Sequence, residues 1–175
     1  MRLPILFTAL LGSAALAAAP ASGPLTRTAP LKAANGKTIG RVTLTDAPNG
    51  VLLRVEADGL TPGWHGLHLH EKADCSDSAF KKSGGHVHGG HAAVHGLLNP
   101  AATDQGDLPN IHADAQGKAA AEFFSTRVAL HPGAGGRADL LDADGSALVI
   151  HAAPDDFRSQ PIGGAGARVA CAAVK

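Results

Sequence analysis

Val51-Leu52-Leu53-Arg54-Val55-Glu56 decides the fold class. Val51, Leu53 and Val55 alternate with Leu52, Arg54 and Glu56. A period of two is that of a strand with one buried face. Immediately before it stands Asn49-Gly50, a hairpin dipeptide, and Asn35-Gly36 is another. Between these two turns, residues 38–45 carry Val42 and Leu44. After the stretch, Leu60-Thr61-Pro62-Gly63 reads as a turn leading into residues 64–70. Further strand-sized runs fall at 119–124, 147–151 and 168–174, and no long segment repeats at helical spacing. Short strands at this spacing predict an all-β antiparallel sandwich or barrel. From Glu71 to Asp107 the alternation stops, which predicts a long loop, and loops of that length usually carry function.

The chain has 175 residues, enough for one domain with its own core. Its 15 basic and 15 acidic side chains cancel, which argues against a generally basic nucleic-acid binder. With 45% hydrophobic and 17% charged residues, the chain is not disordered throughout. No apolar run approaches the ~20 residues of a membrane span. At the N-terminus, Arg2 precedes Leu3-Pro4-Ile5-Leu6-Phe7-Thr8-Ala9-Leu10-Leu11 and a run of small residues. This predicts a secretory signal peptide over 1–19, cut at Ala15-Leu16-Ala17 or Ala17-Ala18-Ala19. Residues 20–30 then read as a flexible lead-in and 31–175 as the folded domain. No cysteine lies near the cleavage sites, so no lipid anchor is indicated. Export places the mature chain in the periplasm or outside the cell. In such an oxidising compartment the only two cysteines, Cys75 and Cys171, suggest one disulfide.

All ten histidines lie between His65 and His151, and seven of them between His65 and His95. In Gly63-Trp64-His65-Gly66-Leu67-His68-Leu69-His70, strand geometry puts His68 and His70 on one face, with Leu67 and Leu69 on the other. Two imidazoles side by side on a rigid strand make half a metal site. His86, His88, His91 and His95 follow in the loop, then Asp104 and Asp107, and His151 ends a later strand. Imidazoles without thiolates, in an oxidising compartment, favour copper(II) or zinc.

Five motifs, in order, resemble a bacterial periplasmic copper/zinc superoxide dismutase. They are Gly66-Leu67-His68-Leu69-His70 with Cys75 beyond it, Ser83-Gly84-Gly85-His86, and Gly106-Asp107-Leu108-Pro109-Asn110. Then come residues 145–151 with Pro154-Asp155-Asp156, and residues 163–171 ending in Cys171. The resemblance implies a Greek-key β-sandwich or barrel of about eight strands with a long metal-binding loop. It implies copper on His68, His70, His86 and His151, and zinc on His86, His95, Asp104 and Asp107, His86 bridging the two. His86 is chosen over His88 and His91 because Gly84-Gly85 precedes it. Asp155 would link a copper histidine to a zinc histidine, by position His68 and His95. Arg168 would attract the superoxide anion, and Cys75 would pair with Cys171. The implied enzyme converts superoxide to oxygen and hydrogen peroxide by cycling copper between Cu(II) and Cu(I), with zinc structural. The implied roles of His86 and Arg168 are therefore catalytic. The alternative reading is a periplasmic copper/zinc-binding protein without turnover. The chain departs from the family pattern at Ala73, where glycine is usual, and at Asp104, where histidine is common. His86 and His95 stand nine positions apart, one more than the family's usual spacing. No nucleic-acid partner is expected, and a homodimer is left open.

Overall fold

The computed structural model describes residues 23–90, 92–132 and 135–175. The expected signal peptide and His91 lie outside the described residues. The chain is all-β, with the strands β1 (Thr26–Ala33), β2 (Thr38–Ala47), β3 (Gly50–Asp58), β4 (Gly63–His65), β5 (Leu67–His70) and β6 (Ile111–Ala113) in its first part. They are followed by β7 (Lys118–Ser125), β8 (Val128–Ala129), β9 (Ala138–Asp139), β10 (Ser146–His151) and β11 (Arg168–Val174). One 3-10 turn, Lys81–Ser83, sits in the long loop.

Seven strands form one curled sheet in the order β5-β10-β11-β1-β2-β3-β7. A ribbon of β4 and β6 closes the curl, because β4 runs into β5 at Gly66 and β6 turns into β7 through Asp114 and Gly117. The β3–β4 and β7–β10 connections each pass two intervening strands, which is Greek-key connectivity. The two-residue strands β8 and β9 pair outside this curl.

The alternation of β3 is realised as expected: Val51, Leu53 and Val55 are buried, and Leu52 and Arg54 are exposed. With Leu31, Val42, Leu44, Leu67, Leu69, Ile111, Leu148 and Ile150 they fill the interior. Strand β10 is buried along its whole length, so its sequence does not alternate in polarity. Leu148 and Ile150 join the interior, while Ala147 and Val149 pack outside it with Phe80 and Cys171. Register pairs Ala147 with His70 and Val149 with His68, so the two histidines share that outer face.

The lead-in expected over 20–30 is shorter than the sequence suggests. Residues 26–30 belong to β1, which pairs with β2 from Thr26 to Lys32. Pro30 has no N–H to give to a ladder, and the pairing of β1 with β11 is confined to Lys32 and Ala33. Ala29 and Leu31 still turn inward, which makes this segment the wall between β2 and β11. No helix among the described residues is long and apolar enough to cross a membrane.

Candidate metal centre

Strand β5 is the last strand of the curled sheet, and an uncovered edge there would leave backbone groups unpaired. The long loop takes that edge. Val87 N–H donates to the Leu69 carbonyl at 2.9 Å, and Leu69 N–H donates to the Gly106 carbonyl at 2.8 Å. Isolated bridges pair His70 with His86 and His68 with Asp107. At Gly106 a Cβ would run into the Leu69 carbonyl and the Val87 nitrogen, so only glycine lets the loop lie this close. The loop is therefore stitched to the strand at the residues that carry the imidazoles. The disulfide between Cys75 and Cys171, Cα atoms 5.8 Å apart, ties its first part to β11.

His68, His70, His86 and His151 meet under this roof, all buried. Ring centroids are 4.2 Å apart for His68 and His86, 4.8 Å for His68 and His151, and 5.0 Å for His70 and His86. Each ring has one nitrogen engaged. His70 Nδ1 donates to the Gly84 carbonyl at 3.0 Å and His151 Nδ1 to the Gly166 carbonyl at 3.0 Å. A carbonyl only accepts, so each of these rings keeps its proton on Nδ1 and presents a lone pair at Nε2. His68 Nε2 lies 2.8 Å from Asp155 Oδ2, and His86 Nδ1 lies 2.7 Å from Asp104 Oδ2. The four remaining nitrogens are His68 Nδ1, His70 Nε2, His86 Nε2 and His151 Nε2, all buried and without a hydrogen-bond partner among the described residues. Orphaned buried acceptors are costly in a folded protein. Four that converge within 4.8 Å make a donor set for a metal ion.

A second cluster shares His86. His95 Nδ1 lies 2.7 Å from Asp107 Oδ1 and 4.0 Å from Asp104 Oδ2, and His86 Nδ1 lies 3.4 Å from Asp107 Oδ1. The outer oxygens of both carboxylates are anchored: Gly106 N–H donates to Asp104 Oδ1 and Gly96 N–H to Asp107 Oδ2. One oxygen of each thus faces the two rings. These separations bracket the roughly 3.4 Å edge of a tetrahedron with the ~2.0–2.1 Å bonds of zinc to nitrogen and oxygen. Asp155 spans the two clusters, Oδ2 at His68 and Oδ1 at 3.0 Å from His95 Nε2. Asn110 grips its backbone at both the N–H and the carbonyl, 2.9 Å each.

Charge separates the clusters. Burial, with His86 and Arg168 nearby, pushes His70 down to about 2. Burial, with His68 nearby, pushes His151 down to about 4. Burial also lowers His68, against the pull of Asp155. In the second cluster burial opposes the charged ring too, but Asp107 and Asp155 outweigh it and raise His95 to about 10. Asp104 and Asp107 likewise raise His86 against its burial. Burial would raise the Asp155 carboxyl, yet His68, His95 and the Phe157 N–H hold it well below the usual carboxylate range.

The family model for copper/zinc superoxide dismutase (SODC) matches residues 38–174. The chain belongs to the copper/zinc superoxide dismutase family. It is 62% identical over 148 residues to "Superoxide dismutase [Cu-Zn]" of Caulobacter vibrioides, covering 85% of this chain and 84% of that protein. It is 37% identical over 167 residues to "Superoxide dismutase [Cu-Zn] 2" of Aquifex aeolicus, covering 95% of this chain and 96% of that one. A solved SOD-like protein from Bacillus subtilis superposes with a TM-score of 0.78 at 32% identity, over 85% of this chain and 97% of that chain.

His68, His70, His86 and His151 lie together, as do His68, His86, His95 and Asp107; Asp104 stands beside the second group, 2.7 Å from His86 Nδ1, and Asp155 sits between the two. Arg168 opens β11 opposite His151, half-buried. Its Nη1 donates to the Phe80 carbonyl at 2.7 Å and to Ser83 Oγ at 3.0 Å, and Nη2 donates to the Gly84 carbonyl at 2.8 Å. His65 is buried on backbone carbonyls, Nδ1 2.6 Å from His151 O and Nε2 2.8 Å from Thr61 O. His88 stands outside both clusters, 3.5 Å from Glu71. Trp64 is 57% exposed above a depression lined by Pro109, Pro154 and Phe157, edge-on to the His112 ring at 4.8 Å and outside both clusters. Sequence reasoning missed Asn110, Phe80 and Ser83 as supports. Ser83 and Asn110 stand in the quoted motifs, but their partners Arg168 and Asp155 are distant in the chain, and nothing marks Phe80.

Proposed function

We propose that this chain is an exported superoxide dismutase. His68, His70, His86 and His151 would hold copper, and His86, His95, Asp104 and Asp107 would hold zinc, His86 being common to both sets. The observation that carries the reading is the four orphaned imidazole nitrogens gathered beside Arg168. All-imidazole donors suit copper(II), and a set of two imidazoles and two carboxylates suits zinc. The chemistry that bound copper supplies is one-electron transfer, taking an electron from one superoxide to leave oxygen and returning it with two protons to another to give hydrogen peroxide.

The residues do the rest. The Arg168 guanidinium is held against the loop with its charge close enough to act on His70 and His151. A fixed positive charge in a partly buried cleft concentrates a small anion there. His86 is fixed at Nδ1 by the two aspartates, so its Nε2 can hold a proton on the copper side and release it to the reduced product. Asp155 fixes the orientation of His68 and His95, as carboxylates behind metal-binding histidines do. The apolar segment after Arg2 and the disulfide support residence in the periplasm or outside the cell after cleavage.

The test is superoxide decay on protein reconstituted with copper and zinc, beside metal analysis. One ion of each per chain with fast decay is expected. Full occupancy of both metals with decay no faster than free buffer would favour the binding protein without turnover and reject the enzyme.

A further inference from the structure

Arg168 does not stand free beside the histidines; it is clamped. Phe80 O, Ser83 Oγ and Arg168 Nη1 form a closed triangle. Ser83 Oγ donates to Phe80 O at 2.7 Å, Nη1 donates to the same carbonyl at 2.7 Å, and Nη1 donates to Ser83 Oγ at 3.0 Å. The hydroxyl has one proton, and that proton goes to Phe80 O. Toward the guanidinium it therefore presents only a lone pair. Ser83 is fully buried. Phe80 takes a left-handed backbone conformation, φ 54° and ψ 25°, which residues other than glycine seldom adopt. Its ring is buried with Val149 and Cys171 on the disulfide side of the loop, which fixes where its carbonyl points. Gly84 closes the clamp: its carbonyl accepts from Arg168 Nη2 at 2.8 Å and from His70 Nδ1 at 3.0 Å.

We propose that Ser83 is a positioning residue for Arg168: its buried hydroxyl, locked onto the Phe80 carbonyl, holds the guanidinium at the angle from which it receives the anion. This rests on the dismutase reading above. The consequence is specific. Removing the hydroxyl leaves the charge of Arg168 in place on the Phe80 and Gly84 carbonyls but loosens its angle, so anion capture weakens while the metal ligands are untouched.

The experiment compares the copper- and zinc-loaded parent with Ser83→Ala, Ser83→Thr, Arg168→Ala and the double variant Ser83→Ala/Arg168→Ala. Two quantities are read: the rate constant for superoxide decay, and the dissociation constant for azide from its charge-transfer band with copper(II). Ser83→Ala is expected to lower the first and raise the second by about fivefold each, the size of one ordinary net hydrogen bond, since two carbonyls still hold the guanidinium. Ser83→Thr, which keeps the hydroxyl, is expected within about twofold of the parent on both. The double variant is expected to equal Arg168→Ala, because two residues acting through one guanidinium do not add. Equal azide affinity in parent and Ser83→Ala, or an undiminished Ser83 effect in the Arg168→Ala background, overturns the proposal. Loss of copper from Ser83→Ala, with Ser83→Thr fully loaded, would assign the hydroxyl to the fold and overturn it too. A parent that binds copper and azide without turnover would remove the dismutase reading, yet the azide series would still decide the role of Ser83.

Discussion

The two clusters share one imidazole and almost nothing else. On the β5 and β10 side, four imidazoles face one another with no carboxylate among their free nitrogens; burial depresses His68, His70 and His151, and only the shared His86 is raised. On the loop side, two rings face two buried carboxylates, and His86 and His95 are raised. In the first pocket, His70 and His151 are neutral at neutral pH and offer lone pairs to a cation. The second is already filled by protons that a metal must displace. A neutral donor set leaves the positive charge of its ion uncompensated, which suits an ion that exchanges electrons with an anion. Two carboxylates neutralise theirs, which suits an ion that only holds a loop in place.

The largest expected effect separates the pockets outright. His151 belongs only to the four-histidine pocket, so His151→Ala should abolish turnover and copper retention while zinc stays bound, as metal analysis will show. Next comes the residue that joins them. Asp155 touches His68 on one side and His95 on the other, both buried. Asp155→Ala should weaken metal binding in both pockets by about 10- to 100-fold. Competition with a chelator measures this, and a loss confined to one ion would break the picture of a shared brace. Smaller again, Arg168→Ala should slow superoxide decay by about tenfold with both metals retained, and should flatten the fall of rate with added salt. Identical salt profiles in variant and parent would remove the steering role.

The smallest effect is a difference in pH dependence. His95 in its folded setting titrates near 10, so below that pH a metal entering its pocket must expel a proton. Zinc affinity should therefore fall as pH drops from about 10 toward 6.5; in the four-histidine pocket only the shared His86 is raised, so the dependence there should be weaker. Calorimetric titration in buffers of differing ionisation enthalpy counts the released protons. The stability of the metal-free chain sharpens the same contrast. The depressed His70 and His151 contribute stability that is lost as pH falls below the ordinary histidine value near 6.5. The raised His95 contributes stability that is present below that value and lost as pH rises through about 10. Urea unfolding across pH should show both flanks, and a flat profile would contradict the charge assignment.

How far the sequence carries depends on whether a residue acts through its neighbours in the chain. His68 and His70 are legible because a strand repeats every second residue, and Gly84-Gly85 marks His86. The alternation of β3 and the turn dipeptides give the fold class. Strand β1 was hidden, because Pro30 looks like a breaker and its inward pair, Ala29 and Leu31, is too short to signal. The loop's path was hidden as well. It follows the open edge of β5 through backbone bonds at Leu69, Val87 and Gly106, and such bonds carry no side-chain signature. For the same reason the clamp of Phe80, Ser83 and Gly84 on Arg168 emerges only in three dimensions.

The most direct test of two pockets joined at His86 is anomalous diffraction at the copper and zinc edges from metal-loaded crystals. The expected result is copper bonded to nitrogens of His68, His70, His86 and His151, and zinc at ~2.0–2.2 Å from His86 Nδ1, His95, Asp104 and Asp107. Both edges peaking in one pocket, or an ordered His86 ring touching neither ion, would contradict it.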